Sequence, residues 1–175
     1  MWYNVKAQPG AHERNMMFAV GDNIVYPMHG AGTIEAIDER EVDGEKCEYY
    51  VLLIPQNGIR IMIPCDRATK IGVRRVIKKS EVSRVNETLR GESTEMAKIW
   101  NRRYRDNLEK MKTGKITHVA EVVRDLMRVD HEKRLSTGEK KMLSNAKQIL
   151  ISELILACGK EEAELTVIIE KAVMA

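Results

Sequence analysis

The sequence predicts an α+β protein of two domains, in which a small β barrel is followed by an all-α bundle of five helices. Three observations support this prediction. Residues from Phe18 to about Ile77 form short apolar and aromatic runs separated by turn signals. From Ser80 onward, apolar residues recur at the spacing of a helix. The local net charge changes sign close to the same point, which indicates two regions with different surfaces.

The composition is that of an ordinary globular protein. Of 175 residues, 43% are hydrophobic and 31% are charged. No apolar run reaches the roughly eighteen residues that a membrane span requires, and residues 1–16 lack the apolar centre of a signal peptide. The three cysteines are odd in number and lie far apart, which argues against a disulfide framework. We therefore expect a cytoplasmic location and no membrane partner.

Residues 1–16 show no hydrophobic period, and Pro9-Gly10 interrupts them further. We interpret this segment as a disordered extension or a non-native leader, with the natural start at Met17. Trp2 and His12 are accordingly given little weight in the functional interpretation.

The β region contains five predicted short strands. Asp43-Gly44 and Asn57-Gly58 are strong hairpin signals, and apolar runs flank each of them. The strands are predicted at 24–26, 33–41, 47–54, 59–63 and, as a short last strand, 73–77. So few short strands cannot build two sheets, whereas a small, strongly bent barrel buries them economically. The first domain is therefore predicted at 17–70, with 71–79 as a linker or last strand.

The helical domain is predicted at 80–175. Its helices are expected at 81–90, 94–112, 116–134, 137–157 and around 165–173, and glycines end three of them. The clearest boundary is the stretch from Ser136 to Glu139, because Ser at a helix cap with Glu three residues later is a capping box.

The distribution of charge is more informative than the overall net charge of +3. Residues 17–66 hold three Lys or Arg against nine Asp or Glu, whereas residues 67–115 hold fifteen against six. Residues 116–175 are nearly neutral, with nine against ten. The basic segment is the candidate for binding a polyanion such as nucleic acid, and the acidic barrel is a poor candidate.

No catalytic, cofactor or metal site is predicted. Gly30-Ala-Gly32 lacks the following helix and lysine of a phosphate-binding loop, and no histidine pairs with a cysteine at metal-ligand spacing. His29 could be a base for Cys47 or Cys65 as nucleophile. A turn histidine and two half-buried strand cysteines are the simpler interpretation, so an enzyme is the least favoured alternative.

Residues 98–115 concentrate seven cations against two acids, together with Trp100 and Tyr104. On a helix, these two rings share an apolar stripe with Met96 and Leu108, while the arginines lie off it. Periodicity alone favours a core tryptophan beside solvated arginines. The excess of cations, and the place of Trp100 near the start of the helix, favour a contact with nucleic acid instead. The exposure of the ring decides between these interpretations.

Several motifs resemble those of the CarD/CdnL family of bacterial RNA polymerase-binding transcription regulators. They follow the family's order across 17–175: MFAVGDNIVYPMHGAG from Met17, RIMIP from Arg60, IWNRRYRDNLEK from Ile99, VAEVVRDL from Val119 and LSTGEKKML from Leu135.

The resemblance implies a Tudor/SH3-like amino-terminal barrel that binds the RNA polymerase β subunit. It also implies a helical domain that binds promoter DNA at the upstream edge of the transcription bubble and stabilises the open complex. Trp100 would wedge into the minor groove, largely without sequence specificity. The accompanying DNA-binding cations implied are Arg102, Arg103, Arg105, Lys140 and Lys141. The polymerase-binding residues implied are Arg40, Arg60, Ile61, Met62 and Pro64.

One departure from the family pattern is Met62, where some members carry an arginine, so the resemblance implies no salt bridge to polymerase there. A monomer is expected. The alternative function is a polymerase-binding interaction module without a DNA role, because similar barrels occur in repair-coupling factors that bind the same polymerase surface. In that case the basic segment is a solvated face.

Overall fold

The computed structural model describes residues 17–175, so the extension predicted at 1–16 lies outside the described residues. The strands are β1 (Asn23–Tyr26), β2 (Gly30–Val42), β3 (Glu45–Ile54), β4 (Ile59–Pro64) and β5 (Arg74–Arg75). The helices are α1 (Ala68–Ile71), α2 (Val82–Arg90), α3 (Trp100–Lys112), α4 (Ile116–Glu132), α5 (Thr137–Cys158) and α6 (Glu162–Met174), with a 3₁₀ turn at Lys79–Glu81. An antiparallel sheet followed by helices confirms the α+β prediction.

The five strands form one open sheet in the order β4-β3-β2-β1-β5. The closed barrel predicted from the sequence is therefore not observed. β5 is only two residues long and pairs with β1 alone, through Ile24 opposite Arg75 and Val25 opposite Arg74. Closure would require this strand to pair with β4 as well, and the chain leaving β4 forms the short helix α1 instead. As a result β4 remains an edge strand.

Both hairpin predictions are confirmed. Asp43 and Gly44 have φ values of 52° and 82° and connect Val42 to Glu45, as a two-residue turn of the primed type requires. The second turn holds Asn57 and Gly58, and joins β3 to β4 with Ile54 paired opposite Ile59. Local turn chemistry thus fixes the register of the three longest strands.

Each region has its own apolar core. In the sheet region, Tyr50 is fully buried and its ring lies edge-on to Phe18, with the ring centroids 5.8 Å apart. Ile24, Ile34 and Ile63 pack on the same face of the sheet. The core of the helical region comes mainly from α2, α4, α5 and α6. No helix within residues 17–175 is both long enough and apolar enough to cross a membrane.

The helix predicted to begin at Thr94 begins instead at Trp100. The Thr94 backbone N–H donates to Asp125 Oδ1 over 3.2 Å, and its hydroxyl accepts from Arg124 Nη2 over 2.9 Å. Arg124 and Asp125 are buried in α4, so residues before α3 are used to satisfy this buried pair. Met96 is therefore absent from the helical stripe, and its sulfur lies 3.7 Å from Asn107 Nδ2.

The sheet and the helices are joined by a polar seam. Arg74 in β5 donates to both carboxylate oxygens of Glu153 in α5, over 2.6 and 2.9 Å. The same guanidinium donates to the Gly114 carbonyl, over 3.0 and 2.6 Å. In β2, the Ala31 N–H donates to Ser152 Oγ over 2.9 Å. Because the Glu153 and Ser152 residues are each only 2% exposed, these bonds fix α5 against the sheet.

Candidate nucleic-acid interface

The apolar stripe of α3 is buried at the C-terminal end of the helix and becomes exposed to solvent toward the N-terminal end. Met111 is 1% exposed, Tyr104 and Leu108 are partly buried, and Trp100 is 46% exposed. Ile99, the N-cap residue immediately before the helix, is 70% exposed. The prediction of a core tryptophan from periodicity is therefore wrong for the exposed ring, although it holds for the rest of the stripe.

The Trp100 ring is held in place although it is exposed. Its Nε1 donates to Ser136 Oγ over 2.7 Å, and its ring stacks on Tyr104 with the centroids 5.8 Å apart. Gly138 lies against the indole, since a Cβ at that position would lie 3.7 Å from Trp100 Cζ2, at ordinary contact distance. The N-terminal ends of α3 and α5 thus meet around this ring, and we refer to them together as the α3–α5 tip.

The predicted capping box is present and contributes to the tip. Ser136 Oγ accepts from the Glu139 N–H over 3.3 Å and donates to Glu139 Oε2 over 2.9 Å. Arg103 Nε donates to the other carboxylate oxygen of Glu139 over 2.6 Å. Since Trp100 binds the same serine oxygen, the network joins two residues of α3 to two residues that cap α5. The hydroxyl's one donor and two acceptor sites are all used.

Glu139 remains a carboxylate within this network. Burial of its side chain would by itself raise the pKa of Glu139, but hydrogen bonds from Arg103 and Ser136 and the charge of Arg103 outweigh burial, so the pKa is lowered. The Arg103 side chain is only 13% exposed and faces a fixed negative charge. Of the predicted DNA-binding cations, Arg103 is therefore the one already engaged inside the protein.

The other predicted cations are exposed. Arg102 and Arg105 lie on the solvent side of α3, and Lys140 and Lys141 lie in the first turns of α5. None of the four forms an ion pair with the residues that the structure describes. Further along α3, Lys110 pairs with Glu121 and Lys112 with Glu109. Within α3, the cations without an ion pair among the described residues therefore lie in its N-terminal half.

The residues predicted to contact polymerase lie in the sheet. Met62 on the edge strand β4 is opposite Val51, and Arg60 is opposite Leu53. Because side chains alternate along a strand, Arg60 and Met62 share the outer face, whereas Ile61 packs against the sheet core.

The same alternation places Arg40 and Pro64 on the outer face as well. Arg40 is exposed on β2, and Pro64 is half-buried at the end of β4. Four of the five predicted polymerase residues are thus brought to one face of the sheet, and Ile61 is the exception. Arg60 is not free, since its Nε lies 2.5 Å from Glu35 Oε1.

The histidine–cysteine alternative has no supporting geometry. The His29 ring stacks on Tyr26 with the centroids 4.3 Å apart, and no hydrogen bond between described residues joins it to Cys47 or Cys65. Burial and the charge of Glu48 raise the pKa of the Cys65 thiol to about 11, whereas a nucleophilic cysteine needs a lowered pKa. Among residues 17–175, no group of three or more His, Cys, Asp or Glu residues is placed to hold a metal ion.

Sequence reasoning recognised Ser136 and Glu139 only as a helix cap. Their connection to Trp100 and Arg103 spans 36 residues in the chain, and no local pattern reports such a pairing. The exposure of Ile99 is likewise not predictable from the sequence, because nothing in its neighbours indicates that its side chain lies outside the core.

Comparisons with known proteins agree with this two-part architecture. The model of the CarD C-terminal domain matches residues 84–170, and the model of the CarD-like/TRCF RID domain matches residues 18–77. A curated protein of Bacillus subtilis (strain 168), named "Putative transcription factor YdeB", is 44% identical over 149 residues. That alignment covers 85% of this chain and 97% of the relative.

Proposed function

Because the chain belongs to the CarD family of transcription factors, we propose that it binds the RNA polymerase β subunit through its sheet and promoter DNA through its α3–α5 tip. In this proposal the tip contacts the upstream edge of the transcription bubble and stabilises the open complex. The main supporting observation is the 46% exposure of a tryptophan ring that is fixed by a hydrogen bond, on a helix whose next turn carries the exposed Arg102 and Arg105.

The tip has the properties of a surface that presses on an opened groove. Separating a base step costs a few kcal/mol, and least where the duplex is already melting. A ring held by Ser136 and Tyr104 loses little conformational freedom when it meets DNA. Asn101 is the one exposed amide side chain in the first turn of α3, so we expect contacts to DNA shape and phosphate to dominate over base readout.

The cations divide into two roles in this proposal. Arg102, Arg105, Lys140 and Lys141 are exposed and contribute to phosphate binding. Arg103 acts as a positioning residue, because its bond to Glu139 holds α3 against the cap of α5. Removing Arg103 would then weaken DNA binding by displacing Trp100 and not by removing a phosphate contact.

The sheet offers a suitable surface for a protein partner. β4 is an edge strand, and an edge strand can extend its hydrogen-bond ladder onto a strand of another protein. Met62 and Val51 form an apolar pair on the outer face beside the charged pair Arg60 and Glu35. Backbone pairing supplies affinity in this arrangement, and the outer-face side chains supply specificity.

The DNA part of the proposal is tested with Trp100→Ala in the full chain. The open-complex lifetime with purified polymerase should shorten several-fold, while binding to the polymerase β subunit is retained. Since the ring is half exposed, the free energy of unfolding should fall by no more than about 2 kcal/mol. A large loss of stability with an unchanged lifetime would contradict the proposal.

Binding to forked DNA provides an independent measurement. Plotting log affinity against log salt should give a slope of several units, because each phosphate contact releases counterions. Arg102→Ala and Arg105→Ala should each reduce that slope by about one. A protein that binds polymerase but not forked DNA at any salt concentration would instead be an interaction module without a DNA role.

The polymerase part is tested with Met62→Asp. The new carboxylate would lie at the centre of the outer face and would be buried when the β subunit binds. It should therefore lower the affinity for the β subunit by at least tenfold. Val167→Asp is the control, since Val167 is 48% exposed on α6, outside the sheet. Equal losses in the two variants, or none in Met62→Asp, would exclude the outer face as the contact surface.

A further inference from the structure

We propose that Ile99 is a second apolar wedge, which enters the opened base step next to the Trp100 ring. This inference rests on the proposed function, because it names a further DNA-contacting residue of the same tip. It assigns the deeper insertion to the aliphatic side chain and leaves Trp100 to cover the exposed edge of the step.

The exposure of Ile99 is the first observation. At 70% it exceeds that of every other large hydrophobic side chain in the described part of the chain, and it lies directly beside Trp100. Single exposed apolar residues are normal on protein surfaces. Ile99 and Trp100 are adjacent and lie at the end of a helix that also carries cations. Together they form an exposed apolar projection, which we refer to as the apolar point and which is unfavourable in water unless a partner covers it.

The backbone of Ile99 is fixed even though its side chain is free. Its carbonyl accepts the Arg103 N–H over 3.0 Å, in the first turn of α3. The preceding segment is anchored at Thr94 by the buried pair Arg124 and Asp125. The side chain belongs to neither core cluster. Because isoleucine is branched at Cβ, few rotamers are lost when it is inserted.

The restraint on Trp100 is the second observation. Its Nε1 is used by Ser136, its ring stacks on Tyr104, and one edge lies beside Gly138. Full insertion between bases would break the hydrogen bond and the stacking. The ring can instead present its open side to a base or sugar without moving. Isoleucine is one of the side chains that proteins insert between base steps to kink DNA.

The charges around Ile99 fit this geometry. Arg102 follows it by three residues and therefore lies on the same side of α3, while Lys98 precedes it and is exposed. Cations on both sides of an apolar point can bind the phosphates that flank a single step. Lys98 and Arg102 form no ion pair with described residues, so both remain available.

The experiment compares Ile99→Ser, Trp100→Ala and the control Val167→Ser in the full chain. Val167 is 48% exposed on α6, away from the tip. Open-complex lifetime is measured together with the fluorescence of 2-aminopurine placed at the upstream fork of the promoter. Ile99→Ser should shorten the lifetime at least threefold and reduce the fluorescence change, with Tm unchanged. Val167→Ser should leave the open-complex lifetime and the fluorescence change unaltered. Ile99→Leu should keep both quantities close to those of the native protein.

The outcomes separate the two proposals. If Trp100→Ala shortens the lifetime and Ile99→Ser does not, the Ile99 wedge is overturned and the proposed function stands. If neither variant has an effect, both are overturned. If Ile99→Ser acts but Ile99→Leu fails to restore the lifetime, an apolar insertion is excluded.

Discussion

Trp100 Nε1 and the Glu139 backbone N–H both donate to Ser136 Oγ, over 2.7 and 3.3 Å. One hydroxyl therefore caps α5 and fixes the exposed ring of α3. A residue that sequence patterns assign only to the start of a helix is in this way part of the proposed DNA contact.

Ser136→Ala should weaken stability and DNA binding together. Loss of the cap costs about 1 kcal/mol, and loss of the bond to Trp100 adds a smaller amount because water can replace it at a half-exposed site. We expect a fall of about 1–2 kcal/mol in the free energy of unfolding by urea denaturation, with weaker binding to forked DNA. Thr137→Ala is the control, and it should change stability by less than about 0.5 kcal/mol. A normal DNA affinity in Ser136→Ala would show that the ring needs no hydrogen bond.

Acid should loosen the α3–α5 tip through Glu139. Its pKa is lowered in the folded protein, so the unfolded chain binds the proton more readily. The stability contributed by Glu139 is fully present above the ordinary carboxyl pKa, and it is lost as pH falls through the lowered value. The difference in the free energy of unfolding between the native protein and Glu139→Gln should therefore shrink over this acidic range. Asp22, whose pKa is also lowered, is present in both proteins and cancels. If the difference in the free energy of unfolding did not depend on pH, the ionised carboxylate of Glu139 would not be the source of this stability.

The seam between sheet and helices should respond unequally to loss of its two partners. The Glu153 side chain is 2% exposed and the Arg74 side chain 30%. Arg74→Ala leaves a buried carboxylate without its cation, which should cost about 3–5 kcal/mol. Glu153→Gln keeps an acceptor for Arg74, which water can also reach, and should cost about 1–2 kcal/mol. Chemical denaturation measures both, and a larger loss in Glu153→Gln would overturn this account.

Gly138→Ala should stabilise the protein. A Cβ there would lie 3.6 Å from Tyr104 Cε2 and 3.7 Å from Trp100 Cζ2, at ordinary van der Waals distances. Replacing glycine within a helix by alanine gains about 0.5–1 kcal/mol. We expect a higher Tm with unchanged binding to forked DNA. Gly32→Ala provides the contrast, because its Cβ would lie 2.3 Å from the Leu53 carbonyl oxygen. A loss of stability in Gly138→Ala would mean that the ring needs the open space.

The features correctly predicted from the sequence depend on neighbours along the chain. Asp43-Gly44 forms its turn because both residues accept positive φ, and Ser136 caps α5 because Glu139 is three residues away. The later boundaries of the helices follow for the same reason, since periodicity and terminal glycines are local signals.

The features that were missed depend on distant partners. Thr94 is predicted to start a helix but lies outside α3, because it is hydrogen-bonded to Arg124 and Asp125, which are 30 and 31 residues further along the chain. Arg103 looked like a free cation because its partner Glu139 lies on another helix. The open sheet follows from the two-residue length of β5, which pairs with β1 alone. Tertiary hydrogen bonds of this kind override local propensity and leave no periodic trace in the sequence.

The polar seam between the sheet and α5 also fixes the position of the α3–α5 tip relative to the sheet. It consists of the bonds from Arg74 to Glu153 and from Ala31 to Ser152. A flexible connection would let a DNA-contacting tip sample many positions along the duplex, each at low effective concentration. A rigid one offers the tip to a single base step, and neighbouring steps lie about 3.4 Å away along the axis. In the proposed function, the distance between the polymerase-binding face and the α3–α5 tip would then be set by hydrogen bonds that lie far from both surfaces. The base step that the tip contacts on the promoter would then depend on the length of α5 and on its bond to Arg74, and not on contacts to the bases.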